Sequence, residues 1–249
     1  MRRLFLALSL FMALALPLLI TPATAAELTR AQVEEIIHDY IMKNPKVVIE
    51  SVNEFGKTQQ QAEDQKATDK VTQNLDWLTK NKNHAEAGNP KGDVTIVEFF
   101  DYNCGYCKQA LPDLMTLLDE DKNIRVVFVE VPILGDSSFE AGRWALASLK
   151  QKLYLEFHIA LMRHKGMFDE AILSDYAKKA GLDVDKMKKD KADPELNKIM
   201  DENIKMANVL GITGTPAFVV GTTLIRGYVG LDGLRQAVAD AREAAKKKK

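Results

Sequence analysis

The stretch Val94-Thr95-Ile96-Val97-Glu98-Phe99-Phe100-Asp101-Tyr102-Asn103-Cys104-Gly105-Tyr106-Cys107 joins a short apolar run to two cysteines three positions apart. The run is rich in β-branched and aromatic residues, the pattern of a buried strand. Leu111, Leu114, Met115 and Leu118 then fall on one helical face, so Cys107 to Leu118 is expected to be a helix. Ile124 to Val131 reads as a second buried strand, ended by Pro132. A β-α-β unit implies parallel strands with a right-handed crossover. The cysteines then lie at the strand-to-helix turn.

Cys104 and Cys107 are the only cysteines in 249 residues. A disulfide-stapled scaffold is excluded, because so close a pair closes only a tiny loop. At a helix start the pair has a chemical use. Backbone N–H groups and the helix dipole favour a thiolate on Cys104, and Cys107, one turn further in, is placed to resolve a mixed disulfide. Half a zinc site is the structural alternative. A second C-x-x-C is missing, however, and His38, His84, His158 and His164 are scattered along the chain. No resident metal and no cofactor are expected. Copper(I) held by the two thiolates is a rival of another class, a copper-binding or copper-tolerance role.

With 46% hydrophobic and 28% charged residues, the chain is neither a disordered tail nor a polytopic membrane protein. Lys+Arg is 34 against Asp+Glu 35, which suggests no nucleic-acid partner. At the N-terminus, Arg2 and Arg3 precede an apolar run from Leu4 to Ile20, and Ala23-Thr24-Ala25 has the pattern of a cleavage site. Residues 1–25 are expected to be a signal peptide, which places the mature protein in the periplasm, where disulfides persist. Residues 26–88 form a second region. Thr29 with Gln32 reads as a capping box, and Val33, Ile36, Ile37, Tyr40 and Ile41 follow at helical spacing. Asn44-Pro45 restarts a helix with a stripe at Val48, Val52 and Phe55; a polar stretch follows, then Val71, Leu75 and Leu78. Such a stripe needs a partner, and a second copy of the chain is the favoured one.

Residues 89–249 are expected to be the main domain. A block of helices at about 137–210 separates the β-α-β unit from a hairpin around Gly221-Thr222 and a closing helix, Leu231 to Ala245. Glu98 sits mid-strand in an apolar run, where burial should raise its pKa.

Glu98 through Cys107 resembles the active-site strand and turn of the DsbA-like branch of the thioredoxin superfamily. That resemblance implies an α/β thioredoxin fold with a helical insertion, here preceded by an N-terminal helical stem. It also implies a cis-proline facing the cysteines, a position matched by Thr215-Pro216 in Gly214-Thr215-Pro216-Ala217-Phe218-Val219. The roles it implies are a nucleophile at Cys104, a resolving thiol at Cys107, a proton relay at Glu98 and a backbone free to pair with substrate at Thr215, held by Pro216. Strong oxidants of the family carry Pro-His between the cysteines. Gly105-Tyr106 supplies no positive charge, so a less acidic Cys104 and a less oxidising disulfide are expected. The same Gly-Tyr pair is similar to that of dimeric isomerases of the DsbC type, and Gly105 and Tyr106 are counted with Thr215 as substrate-facing. The helices from Leu28 to about Lys80 resemble the oligomerisation stems of ScsC-like proteins.

Together these readings lead to a periplasmic thiol-disulfide oxidoreductase, chiefly an isomerase or reductase. Its expected partners are exported proteins with cysteines, a membrane redox partner that resets the pair, and further copies of itself as a dimer or trimer. A monomeric disulfide donor is the alternative within the class.

Overall fold

The computed structural model describes residues 27–247. The leader expected at 1–25 lies outside the described residues. Among these residues no helix is long and apolar enough to cross a membrane. The chain divides into two compact units, one ending at Gly56 and one beginning at Lys57.

In the first unit, α1 (Arg30–Lys43) opens on the expected capping box. The Gln32 N–H donates to Thr29 Oγ1 and the Thr29 N–H to Gln32 Oε1, satisfying two donors the helix leaves unpaired. Pro45 starts α2 (Pro45–Gln73), whose first turns also lie in this unit. Nothing in α1 is buried. Its apolar residues and those of early α2, from Val33 to Phe55, are all exposed.

In the second unit, α2 runs into α3 (Leu75–Lys80) and a five-stranded sheet follows. Its strands are β1 (Ala85–Gly88), β2 (Val94–Phe100), β3 (Ile124–Glu130), β4 (Ala217–Val220) and β5 (Thr223–Arg226), in the order β1-β3-β2-β4-β5. β2 and β3 are parallel, joined through α4 (Gly105–Glu120), as the sequence predicts; the other pairs are antiparallel. Between β3 and β4 come α5 (Asp136–Ser148), a 3-10 turn, α6 (Tyr154–Arg163), α7 (Glu170–Lys179), α8 (Val184–Asp190) and α9 (Pro194–Leu210). The closing helix is α10 (Gly230–Lys247). This is the thioredoxin fold with its helical insertion, and helices precede it.

The period of two along each strand divides the core. Ile96, Phe100, Ile124, Val126 and Phe128 pack with α4 and with the insertion residues Trp144, Phe157 and Leu161. Val97, Phe99, Val127, Val129, Ala217 and Val219 pack on the other side with Ala207 and Leu210 of α9 and with Val71 and Leu78. The last part of the apolar stripe read along residues 26–88 is thus covered by the sheet.

β1 is not expected from the sequence, where residues 83 to 92 read as turns. Its alternation is one of small residues, Ala85 and Ala87 inward, and its strand character comes from antiparallel pairing with β3. Gly88 (φ +78) is required there, since a Cβ would lie 2.5 Å from the Ile124 carbonyl oxygen. α4 begins two residues earlier than expected, because the Cys104 sulfur itself caps the helix.

Candidate active site

Cys104 is the N-cap of α4: its Sγ accepts the Cys107 N–H at 3.3 Å. In its protonated form the thiol also donates to the Thr215 carbonyl at 3.2 Å, and this contact brings the loop before β4 against the cysteine pair. The Thr215-Pro216 peptide bond is cis, as the resemblance implies. Both cysteines are buried, Cys104 less completely at 6% exposed than the fully enclosed Cys107.

The pKa values of the two thiols shift in opposite directions. The Cys104 pKa is lowered to about 6, chiefly by the hydrogen bond with the Cys107 thiol, against the opposing effect of burial; the Thr215 side chain and the N–H groups of Cys107 and Tyr106 add to the lowering. Burial, followed by the hydrogen bond to Cys104 and the nearby negative charges of Glu98 and Cys104, pushes the Cys107 thiol far up. The negative charge therefore resides on Cys104 and the proton on Cys107. A pKa near 6 lies between the values of about 7 and about 3.5 that C-x-x-C pairs show at their reducing and oxidising extremes.

Glu98 projects from β2 on the face that carries α4 and the insertion, and is 1% exposed. Neither carboxylate oxygen has a protein hydrogen-bond partner. Burial first, and the Cys104 charge second, raise its pKa to about 8, so it is mostly a neutral acid at pH 7. Among the described residues no group of three or more His, Cys, Asp or Glu could hold a metal ion.

Of the residues singled out by sequence, Cys104, Cys107 and Thr215 are in contact, Pro216 follows in the chain, and Glu98 is buried in β2, where only its ionised form would oppose a thiolate. Tyr106 is 62% exposed on the first turn of α4. Gly105 has nothing within 4 Å of where a Cβ would stand, so no close approach within this chain requires a glycine there.

Other buried polar residues were not singled out by the sequence. Asp101 is a hub. Its Oδ1 accepts the Asn103 N–H at 2.7 Å and the Ser138 hydroxyl at 2.7 Å, and its Oδ2 accepts the Ile133 and Leu134 N–H groups at 2.9 and 3.0 Å. Its carbonyl accepts the Cys104 N–H. Asn103 donates to Ser137 and Ser138, and Ser137 Oγ accepts the Phe168 N–H. The one signal in the sequence is an Asp and an Asn in the loop before the cysteines, residue types that hydrogen-bond backbone at turns. Glu130, a second buried acid, is raised to about 7 by burial and accepts from the Tyr154 hydroxyl at 2.5 Å. His158, likewise buried, bonds Tyr102 at 3.0 Å.

The geometry has clear relatives. Residues 95–239 match the DSBA-like thioredoxin domain model, and residues 30–62 match the N-terminal domain of the copper resistance protein ScsC. A thioredoxin-like oxidoreductase from Silicibacter pomeroyi is 42% identical, with a TM-score of 0.65 over 68% of this chain and 97% of that one. The thiol-disulfide exchange protein alpha-DsbA2 of Wolbachia pipientis is 31% identical, with a TM-score of 0.67 over 72% of this chain and 97% of that one. The catalytic domain of Proteus mirabilis ScsC is 30% identical, with a TM-score of 0.65 over 70% and 97%. A Na(+)/H(+) antiporter, NhaA 1 of Salinispora arenicola, is 31% identical over 62% of this chain and 24% of its own length. The chain thus spans about a quarter of the length of the curated relatives it matches. A family model that covers more than half the chain, a matching fold and a C-x-x-C pair held against a cis-proline loop agree: the chain belongs to the DSBA-like thioredoxin domain family.

Proposed function

We propose that this protein is a thiol-disulfide oxidoreductase of the DsbA/ScsC type that works chiefly as an isomerase or reductase on exported proteins in the periplasm. The observation that carries the reading is the geometry of the pair: Cys104 caps α4 and accepts the Cys107 N–H beside the cis Thr215-Pro216 loop, with Cys107 enclosed behind it. The Cys104 thiolate attacks one sulfur of a substrate disulfide. The new Cys104–substrate bond forms, the old S–S bond breaks, and the leaving thiolate takes a proton from solvent. Attack by a second substrate thiolate on the substrate sulfur of that bond restores the Cys104 thiolate and leaves a rearranged disulfide, with no net redox change. Alternatively Cys107 gives up its proton and attacks Cys104, releasing the substrate as a thiol and leaving the Cys104–Cys107 disulfide. A reducing membrane partner then returns the pair to thiols. We assign to Glu98 the relay that the family resemblance implies, taking and returning the Cys107 proton; its burial in β2 and raised pKa support this.

Three features support isomerisation over disulfide donation. The dipeptide Gly105-Tyr106 has no cationic side chain to lower the Cys104 pKa further. Thr215 offers backbone to an extended chain whatever its sequence. The exposed apolar face of α1 and early α2 suits assembly of several copies, so that more than one Cys104 can serve one misfolded substrate. Incubation with a scrambled-disulfide protein tests this reading. The full chain is expected to restore the native pairing, and the Ile37→Asp, Val48→Asp double variant to do so more slowly. Oxidation of dithiols without reshuffling would instead make the protein a disulfide donor.

A further inference from the structure

Between α4 and α6 lies a cavity of about 300 Å³. Leu111, Pro112 and Met115 wall it from α4, and Ile159 and Met162 from α6. Its volume falls at the lower end of the roughly 300–1,000 Å³ that small-molecule sites span, too little for a folded partner to enter. One end of this apolar hollow is cationic. Lys108 stands there, with Arg163 in the last turn of α6 and Lys165 just beyond it. His164 lies between those two, its Nδ1 engaged with the Tyr176 hydroxyl at 3.2 Å. Among the described residues, no Asp or Glu lines the cavity.

The fold accounts for one of these three cations. Lys108 Nζ donates to the carbonyl of His164, the C-cap of α6, at 2.7 Å and lies 5.6 Å from the centre of the Phe168 ring, so it braces the two helices. It also meets the negative end of the α6 dipole. That bond uses one of three ammonium donors. Burial holds the Lys108 pKa below the ordinary lysine value, and no carboxylate lies within ion-pair distance of it. Arg163 and Lys165 have no hydrogen-bond or ion-pair partner among the described residues. Elsewhere in the insertion the lysines are matched: Lys150 meets Asp190 and Asp193, and Lys191 meets Glu140 and Glu170. Unmatched like charges repel, and apolar walls facing water are unfavourable. A ligand with an anionic head and a short apolar chain relieves both costs. An inorganic anion would leave the walls wet, and a neutral hydrocarbon would leave the charges unmatched.

We propose that the cavity between α4 and α6 binds a medium-chain fatty-acid anion, with the carboxylate held by Lys108, Arg163 and Lys165 and the chain laid between Met115 and Met162. This site stands apart from exchange at Cys104 and does not depend on it. Calorimetric titration of the full-length protein with decanoate, below its micelle concentration, tests it. Saturable binding of one decanoate per chain is expected. Decanol, with the same chain and no charge, is expected to bind roughly tenfold more weakly, and acetate and decyltrimethylammonium not to saturate. Arg163→Glu with Lys165→Glu changes two exposed side chains that bond nothing, so folding does not confound it. That variant is expected to bind decanoate roughly tenfold more weakly and decanol as before. The Ile37→Asp, Val48→Asp variant, altered only on the exposed stripe of α1 and α2, is expected to keep the wild-type affinity. No saturable decanoate binding, or a loss below about threefold on charge reversal, would overturn the proposal. So would decyltrimethylammonium binding as tightly as decanoate, or loss of decanoate binding in the Ile37→Asp, Val48→Asp variant.

Discussion

The N-terminal helices and the sheet-centred unit are built from the same kinds of apolar residue at equally regular spacing, yet only one of them buries what it carries. Among the described residues, twelve of the eighteen large, exposed apolar side chains lie between Leu28 and Phe55, while the strands from β2 to β4 are almost wholly enclosed. Periodicity decides that a segment is helical, and supply of a covering surface decides whether it is finished. Val71 and Leu78 continue the stripe of the N-terminal helices but rest on Val97, Phe99 and Val129. Val33 to Phe55 have no such cover within the described residues, which is the physical basis for proposing assembly.

The sharpest way to break this contrast is to put one charge into each region. Val127→Asp, between buried neighbours in the sheet, is expected to cost about 4 kcal/mol or more and to unfold the second unit in a denaturant titration. The Ile37→Asp, Val48→Asp variant is expected to leave that unit's melting midpoint in place and to reduce the mass measured by light scattering. An unchanged mass would mean that the exposed stripe serves no assembly.

Burial also sets a pH dependence that belongs to the sheet unit alone. Glu98 releases its proton near pH 4.5 when unfolded and near 8 when folded, so between those values the folded state binds more protons and stability falls as pH rises. Glu98→Gln is therefore expected to stabilise the protein, by roughly 2–5 kcal/mol at pH 8 and by little below pH 4.5, while slowing exchange. Equal stability of the two proteins at both pH values would place Glu98 in water. Alkylation of Cys104 is expected to accelerate through a midpoint near pH 6 and to level off above it; a midpoint near 8.5 would remove the basis for its role. The smallest effect lies in the exposed helices. Thr29→Ala removes the cap of α1 and is expected to lower helix stability by about 1 kcal/mol, seen in the helical signal at elevated temperature.

What the sequence made legible follows the same division. β2 and β3 declared themselves as runs of β-formers, and Thr29 with Gln32 marks a helix start where the structure has it. Thr215-Pro216 was found only through the family resemblance, whereas the C-x-x-C pair was readable because its chemistry is local. β1 was not, since two inward alanines carry too little pattern and the strand exists only through β3. Gly135 opens α5, and inside its first turn the Ser137 hydroxyl meets Asn103 while the Ser138 hydroxyl meets both Asn103 and Asp101. That hub joins residues more than thirty positions apart, and the local signal, an Asp and an Asn before the cysteines, does not announce those distant partners. Glu130 likewise passes for an ordinary strand end until Tyr154 is folded over it.

Trapping of the mixed disulfide tests the central claim most directly. With Cys107 replaced by serine, the resolving step is blocked, and the full chain incubated with a scrambled-disulfide protein is expected to accumulate a covalent adduct through Cys104. The adduct should dissolve on reduction and be absent from Cys104→Ser. No adduct in Cys107→Ser, or an equal yield in Cys104→Ser, would contradict an exchange centre built on the acidic first cysteine.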